Sequence, residues 1–174
     1  TYKAQSVIFC SGKQYRRLEV PGESRFIGKG IAFCATCDAP LYRGKTVAVV
    51  GGGNSAFTAA RDLLPFAREI HLIDIMNQFQ ADPPLIAEVT GSPHVHVHQG
   101  MQVKEFYGRD KLQGIRVESN DGQERFDIQV QGVFLEVGLV PNTDAVKGLL
   151  ALNEKGERVI SGGLESAMNC FDAY

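Results

Sequence analysis

Two cysteines separated by two residues, Cys34 and Cys37, are followed directly by Asp38. This spacing lets two thiols close a small disulfide that opens again on reduction. A carboxylate beside such a pair can deliver or remove the proton that each step between thiol and thiolate needs. The three residues therefore predict a redox-active dithiol with its own acid–base group.

A glycine-rich turn, Gly51-x-Gly53-x-x-Ala56, lies between an apolar, β-branched run at 46–50 and a helix-forming segment at 55–64. In this context the first glycine permits a tight turn, the second lets a pyrophosphate approach the backbone, and the small third residue lets helix and strand pack closely. The helix N-terminus then receives the phosphates. The turn predicts dinucleotide binding, and together with the dithiol it indicates electron transfer between a nicotinamide and a disulfide.

Asp74 ends the next apolar strand, 23 residues after Gly51 (74 − 51). A carboxylate at this position accepts hydrogen bonds from the adenosine ribose hydroxyls of NAD and repels the 2′-phosphate of NADP. The nearby Ile75, Met76 and Gln80 supply no cation for such a phosphate. We therefore expect NADH rather than NADPH, with the alternative that Asp74 only caps its loop.

The composition is typical of one globular domain. The chain has 174 residues, of which 44% are hydrophobic and 22% charged, and its formal net charge is −2. No stretch approaches the ~18 apolar residues of a membrane span, and the charge gives no electrostatic footprint for nucleic acid. We expect neither a membrane nor a nucleic acid as partner.

The cysteine content indicates the compartment. Four cysteines in 174 residues are too few for a disulfide scaffold. A single Cys-x-x-Cys beside a nucleotide turn therefore predicts a cytoplasmic redox protein. The chain begins with Thr1 and shows no targeting leader, which we interpret as the start of an excised piece.

Alternating strands and helices predict an α/β fold with a parallel sheet of Rossmann type. A strand at 46–50, a helix at 55–64 ended by Pro65, and a strand at 69–74 form its first half. The other predicted elements are a buried strand at 6–10, a linker at 13–29, a helix at 83–90, a strand at 94–98, an antiparallel meander of strands at 103–106, 115–117 and 126–128 with a hairpin turn at 120–122, a buried strand at 133–137 and a turn at 141–143.

Three histidines, His94, His96 and His98, alternate along one predicted strand and therefore share a face. We interpret that face as polar and exposed, with a metal clip as the alternative.

Zinc is also the alternative for the dithiol, which could be half of a site completed by Cys10, Cys170 or the histidines. The chain contains no second Cys-x-x-Cys, so we expect no metal and interpret Cys10 and Cys170 as small apolar side chains.

The chain resembles the low-molecular-weight thioredoxin reductases and, equally, the flavoprotein subunit of alkyl hydroperoxide reductase. Three motifs carry the resemblance, in the right order between about Val7 and Thr143. They are CATCD at 34–38, GGGNSA at 51–56 and GVFLEVGLVPNT at 132–143.

The resemblance implies a FAD domain that is split in sequence around an inserted nucleotide domain. Residues 1–19 would end the first FAD-domain segment, 20–140 would form the NAD(P)H-binding and dithiol domain, and 141–174 would begin the second segment. The expected fold is thus a Rossmann-like three-layer nucleotide-binding domain with a parallel sheet plus an antiparallel β-meander, flanked by fragments of a FAD domain. The parent protein would be a homodimer whose domains rotate to present nicotinamide and dithiol to the flavin in turn.

The resemblance also implies residue roles. Cys37 would face the flavin, Cys34 would attack the disulfide of a thioredoxin-like or peroxiredoxin-system protein, and Asp38 would be the general acid and base. The residues implied to hold the nicotinamide nucleotide are Gly51, Gly53, Asn54, Ser55 and Ala56. Gly138, in the third motif, is expected to be a cofactor-binding residue.

The chain departs from this family's pattern at several positions. Members that use NADPH usually carry His-Arg-Arg where this chain has Asp74-Ile75-Met76, and arginine in place of Gln80, which again favours NADH. The other departures are Ala39 for glycine, Thr58 and Ala59 for acidic residues, and Cys10-Ser11-Gly12 for Ala-Thr-Gly. The chain also lacks the FAD domain's own glycine fingerprint, so we expect this piece alone to be incapable of full turnover.

Three functions therefore stay open. The first is a flavin-dependent disulfide reductase that passes electrons from NADH through FAD and the dithiol to a protein disulfide. The second is a relative with a vestigial nicotinamide site that receives electrons from ferredoxin. The third is a non-enzymatic module that binds a nucleotide or zinc.

Overall fold

The structure, a computed structural model, describes residues 3, 5, 8–149 and 151–157. Backbone contacts divide the chain into two compact units, Arg17–Val137 and a second unit made of Thr1–Arg16 with Gly138–Tyr174. The strands in the described residues are β1 (Lys13–Tyr15), β2 (Ile31–Ala32), β3 (Thr46–Val50), β4 (Glu69–Asp74), β5 (Val95–Gln99), β6 (Met101–Gly108), β7 (Leu112–Ser119), β8 (Arg125–Gln129), β9 (Gly132–Leu135) and β10 (Leu139–Pro141). The α-helices there are α1 (Glu23–Phe26), α2 (Ala35–Asp38), α3 (Asn54–Leu63) and α4 (Pro83–Thr90).

Five strands of the first unit form a parallel sheet in the order β2-β9-β3-β4-β5. The chain enters the sheet at the edge strand β2, continues at the central β3, moves outward through β4 and β5, and returns to β9 between β2 and β3. Every residue of β3 is buried, as its continuous apolar sequence requires of a strand covered on both faces. The sheet confirms the predicted α/β fold of Rossmann type.

Each face of this sheet has its own core. Side chains alternate along β3, so Val47 and Val49 pack on the face that carries α3, whereas Ala48 and Val50 pack on the opposite face. Helix α3 buries Phe57 and Leu63 in the first core, and the second core includes Ile115 of the meander. Helices and meander therefore sandwich the sheet in three layers.

Strands β6, β7 and β8 form the antiparallel meander that the sequence predicts. The turn between β7 and β8 places Gly122 at a φ of 71°, a left-handed conformation that glycine adopts without strain. The predicted hairpin is confirmed.

Most predicted elements of the nucleotide half are confirmed within two residues. Strands β3 and β4 and helix α4 have the predicted bounds, and α3 begins one residue earlier and ends before Pro65. These elements depend on local apolar periodicity and on proline, both of which are readable from sequence.

The predicted linker at 13–29 is wrong, because this segment contains β1 and α1. Glu23 and Phe26 are only 2% and 1% exposed. The Glu23 carboxylate accepts hydrogen bonds from the backbone N–H groups of Leu18 and Glu19 and from Arg17 Nε. Two buried side chains in a polar stretch create no periodicity, so the pattern could not indicate them.

Three predictions near the chain ends also need correction. Ser6 and Val7 lie outside the described residues, but 8–10 is not a strand, since no strand of the described part pairs with it, and Ile8 is 88% exposed. Cys10 is exposed rather than packed as a small apolar side chain; Cys170 lies outside the described residues. Pro141 belongs to β10, which pairs antiparallel with β1 in the second unit, instead of forming a turn.

Candidate functional site

Four strands of the parallel sheet end at one edge with residues of chemical interest. Because the strands are parallel, their carboxyl ends meet there, and β2 leads to Cys34, β9 to Glu136, β3 to Gly51 and β4 to Asp74. The chain leaves β3 toward β4 on one side and returns to β9 on the other. Ligands of such sheets bind at this switch point, outside the carboxyl ends of the strands.

The dithiol lies at the start of α2 as a closed disulfide between Cys34 and Cys37, whose Cα atoms are 5.4 Å apart. Cys34 caps the helix, and its Sγ accepts a hydrogen bond from the Cys37 backbone N–H at 3.3 Å. Cys34 is half-buried and Cys37 is exposed. The short helix thus brings the two sulfurs together, with Cys37 more exposed to solvent than Cys34.

Helix α2 is fixed to α3. Thr36 Oγ1 donates a hydrogen bond of 2.6 Å to Asp62 Oδ2 on α3. Ala35, between the two cysteines, and Ala39, two residues after Cys37, are 4% and 2% exposed and pack in the same core as α3. These contacts hold the disulfide on the helix that follows the glycine turn.

Asp38, the predicted acid–base residue, is half-buried at the end of α2. Tyr42 lies one helical turn later, buried, with its ring edge-on to Phe134 at a centroid distance of 5.2 Å. Burial and the negative charge of Asp38 raise the pKa of Tyr42. The phenol therefore stays protonated and adds no charge beside the carboxylate.

The glycine turn follows β3 directly. Gly51 has a φ of 134°, which favours glycine, and a Cβ there would overlap the backbone carbonyl oxygen of Glu136. A Cβ on Gly53 would meet no atom within 4 Å. The first glycine is thus required by the protein's own packing, whereas the backbone at Gly53 faces open space that a pyrophosphate could enter.

Asp74 packs directly against Gly52. Its side chain is 5% exposed, and a Cβ on Gly52 would overlap the carboxylate. Burial raises the pKa of Asp74, and hydrogen bonds from the backbone N–H groups of Met76 and Ile75 oppose this shift. The buried Oδ2 has no hydrogen-bond partner among the described residues. A buried carboxylate oxygen without a partner is costly, so a hydrogen-bond donor that reached it would be stabilising.

The other predicted nucleotide residues have different surroundings. Asn54 is engaged with Asp82 at the start of α4, accepting from its backbone N–H at 2.8 Å. Ser55 is exposed at the first turn of α3, and Ala56 is fully buried between helix and sheet. Gly138 belongs to the second unit, where it has a φ of 93°.

Glu136 was not predicted as a site residue. Its backbone N–H donates to the Val50 carbonyl at 2.9 Å, which fixes it beside the glycine turn. Burial raises the pKa of its carboxyl group to about 7, and no hydrogen bond or ion pair engages that group within the part of the chain that the structure describes. The signal available in the sequence was that Glu136 is the one charged residue in the apolar segment 133–137. Gly52 was also missed, because its role depends on its contact with Asp74.

The histidines form a stacked cluster rather than a simple exposed row. His71 of β4 stacks on His96 and His98 at centroid distances of 4.9 and 5.3 Å, and His71 Nδ1 lies 3.0 Å from His98 Nε2. His94 precedes β5 and is exposed. Among the described residues, no group of three or more His, Cys, Asp or Glu side chains is suited to hold a metal ion.

None of the helices in the described part of the chain is long and apolar enough to cross a membrane.

Comparisons with known proteins agree with this arrangement. The chain is 42% identical over 158 residues to a protein named NADH dehydrogenase from Ferdinandcohnia aciditolerans, covering 91% of this chain and 30% of the relative. It is 38% identical over 159 residues to a subunit of alkyl hydroperoxide reductase from Pseudomonas putida, covering 91% and 31%. The chain thus spans less than a third of the length of these curated relatives.

The crystal structure of thioredoxin reductase from T. acidophilum matches with a TM-score of 0.81 and 31% identity, covering 87% of this chain and 50% of that one. The family model described as pyridine nucleotide-disulphide oxidoreductase matches residues 1–169. The chain therefore belongs to the pyridine nucleotide-disulphide oxidoreductase family.

Proposed function

We propose that this chain is the nucleotide-binding and dithiol part of a flavin-dependent disulfide reductase. It takes electrons from NADH and delivers them to a disulfide of a thioredoxin-like or peroxiredoxin-system protein in the cytoplasm. The observation that carries this proposal is the shared sheet edge. The Cys34–Cys37 disulfide and the Gly51 turn follow strands that flank β9, at the switch point where such sheets bind ligands.

NADH fits the glycine turn better than NADPH. The pyrophosphate would approach the backbone in the open space at Gly53, at the start of α3. The ribose hydroxyls of the adenosine would donate to Asp74, whose Oδ2 has no partner among the described residues. A 2′-phosphate in that place would meet the same carboxylate and the apolar side chains of Ile75 and Met76, which are more than half exposed.

Reduction of the Cys34–Cys37 disulfide needs two electrons and two protons. FAD, when bound by the parent protein, supplies the two-electron link between nicotinamide and disulfide. In this chain, Asp38 holds or releases the proton of a cysteine thiol, and Thr36 keeps α2 in place while the S–S bond opens. Cys34 then attacks the partner disulfide, a role that follows from the family resemblance.

The remaining assignments belong to the same proposal. The unit made of Thr1–Arg16 and Gly138–Tyr174 corresponds to parts of a FAD domain, to which Gly138 contributes. The parent protein is proposed to be a homodimer.

The nucleotide half of the proposal is tested by calorimetric titration of this chain with NADH and NADPH, with Asp74→Ala as the variant. We expect tighter binding of NADH, and we expect Asp74→Ala to remove most of the preference. Absence of binding for both nucleotides would contradict the proposal and favour the function fed by ferredoxin.

The dithiol half is tested by thiol–disulfide exchange between the reduced chain and one equivalent of a protein disulfide, without flavin. The chain is reduced, freed of reductant and mixed with an oxidised thioredoxin. We expect the wild-type chain to reduce the thioredoxin disulfide and Cys34→Ser to leave it intact, whereas Cys10→Ser is the matched control and transfers normally. Bound zinc in the purified chain, with no transfer, would favour the metal-binding module instead.

A further inference from the structure

Glu136 is a half-buried acidic residue to which no role has been assigned. It directly follows β9, the strand between the dithiol strand β2 and the glycine-turn strand β3. Ala32 of β2 pairs with Phe134 of β9, and Cys34 and Glu136 each follow two residues after these partners. The pair Val50–Leu135 joins β3 to β9, and one residue further stand Gly51 and Glu136. Glu136 therefore occupies the switch point itself.

The backbone of Glu136 touches the nucleotide turn. Its N–H donates to Val50, and its carbonyl oxygen occupies the space that a Cβ on Gly51 would need. Glu136 is two residues after Phe134, and residues two apart in an extended strand point to the same face. Phe134 packs on the face that carries α3. Continued alternation directs the Glu136 side chain to the face on which α3 begins, where a pyrophosphate would bind.

No cation compensates the Glu136 carboxyl in the described part of the chain. Two other acids stand at the ends of neighbouring elements, Asp38 on α2 and Asp74 on β4, and Asp74 faces Gly52. Burial alone accounts for the raised pKa of Glu136, about 7, so its charge changes near neutral pH.

The remaining ionisable groups of α2 and α3 are engaged or distant from the glycine turn. Cys34 and Cys37 are joined in the disulfide and do not titrate. On α3, Asp62 is bonded to Thr36, and the exposed Arg61 lies in the last turn, at the opposite end from the glycines. Asp82, just before α4, is bonded to Asn54 at the start of α3. Glu136 is therefore a carboxyl beside the turn that has no partner among the described residues and whose charge changes near neutral pH.

We propose that Glu136 contacts the bound dinucleotide and makes its affinity proton-linked, so that NADH binds tightly when Glu136 is neutral and weakly when Glu136 is ionised. The neutral carboxyl donates a hydrogen bond to an acceptor of the ligand, whereas the carboxylate adds a negative charge beside the pyrophosphate. This inference rests on the proposed function, because it takes a nicotinamide dinucleotide as the ligand.

The test is calorimetric titration of the chain with NADH between pH 6.5 and 8.5, in two buffers of different ionisation enthalpy. For the wild type we expect the affinity to fall roughly fivefold over this range, with proton uptake on binding that is largest near the middle of the range. Glu136→Gln keeps the shape and a hydrogen-bond donor but cannot ionise. It should bind NADH at pH 8.5 about as tightly as the wild type does at pH 6.5, without proton uptake. Glu124→Gln, the same change at an exposed site between β7 and β8, should behave as the wild type.

Two results would overturn the inference in distinguishable ways. If wild type and Glu136→Gln bind NADH with the same pH dependence, the linkage belongs to another group, such as Asp74, and the proposed function stands. If the wild type binds no NADH at any pH, the inference and the proposed nucleotide function both fail.

Discussion

The carboxyl edge of the parallel sheet and the outer face of the meander both carry charged side chains, but they differ in how these are paired. On the meander, Arg116 bonds to Asp127 at 2.8 Å and also to Glu105, and Lys104 lies 3.4 Å from Glu118. At the sheet edge, Asp74 is buried and Glu136 is half-buried. Asp74 Oδ2 and the carboxyl group of Glu136 have no side-chain partner within the described residues.

This difference separates stability from function. Buried polar groups without partners cost folding free energy, so a fold retains them where a ligand completes them. The paired charges of the meander need no ligand. Variants at the edge should therefore affect binding strongly, and variants on the meander should not.

The largest effect is expected at Gly52. Gly52→Ala forces a methyl group into the Asp74 carboxylate, so we expect a loss of about 1–3 kcal/mol in the free energy of unfolding together with loss of NADH binding. Gly53→Ala is the matched control, because its Cβ meets no protein atom and only the ligand should be displaced. Urea unfolding and calorimetry measure both properties. Equal destabilisation by the two variants would contradict the described packing.

The loss of folding stability at low pH tests His71, on the face of the sheet that packs against the meander. Burial, followed by the neighbouring His98 and His96, lowers the pKa of His71 to about 4. The unfolded chain, with an ordinary histidine pKa near 6.5, therefore binds the proton first as pH falls. This group's contribution to stability is complete above about pH 6.5 and is lost progressively toward pH 4, so we expect about 1–2 kcal/mol less stability at pH 5 than at pH 7.

The variant His71→Phe should lose this part of the pH dependence, whereas His94→Gln, at the exposed neighbour, should keep it. Urea unfolding at both pH values measures the difference. A pH dependence that is unchanged in His71→Phe would mean that the cluster does not carry it.

Glu136→Gln should make the folded chain more stable at high pH. The folded pKa of about 7 lies above the unfolded value, so the folded chain holds the proton longer, and the wild type loses stability as pH rises through this interval. We expect the variant to be more stable by roughly 1 kcal/mol at pH 8 and equally stable at pH 4. Thermal unfolding at both pH values checks this, and lower stability at pH 8 would argue against an unpaired carboxyl.

The smallest effect is expected at Arg116. Arg116→Ala removes exposed ion pairs on the meander, which contribute little and are screened by salt. We expect the melting temperature to fall less than for Gly52→Ala, and we expect this fall to disappear in high salt because the ion pairs are screened. The NADH affinity should be unchanged. A loss of NADH binding would break the distinction between the two regions.

What the sequence could predict depends on whether a feature arises from neighbouring residues or from residues far apart in the chain. Strand β3, helix α3 and strand β4 have local patterns, and the spacing from Gly51 to Asp74 follows from them. Strand β2 was missed because its two residues pair with Val133 and Phe134, about a hundred positions later. Glu136 was missed for the same reason, since its place between Cys34 and Gly51 depends on the order of strands in the sheet. That Asp74 Oδ2 is buried without a partner is likewise a property of packing.

The most direct measurement is an amide NMR titration of the isotope-labelled chain with NADH. We expect amide shifts at the carboxyl edge, around Gly51, Gly53, Ile75 and Glu136, and none at Arg116 or its neighbours on the meander. Shifts centred on the meander, or none at the edge at saturating NADH, would contradict the claim that the unpaired groups of this edge form the nucleotide site.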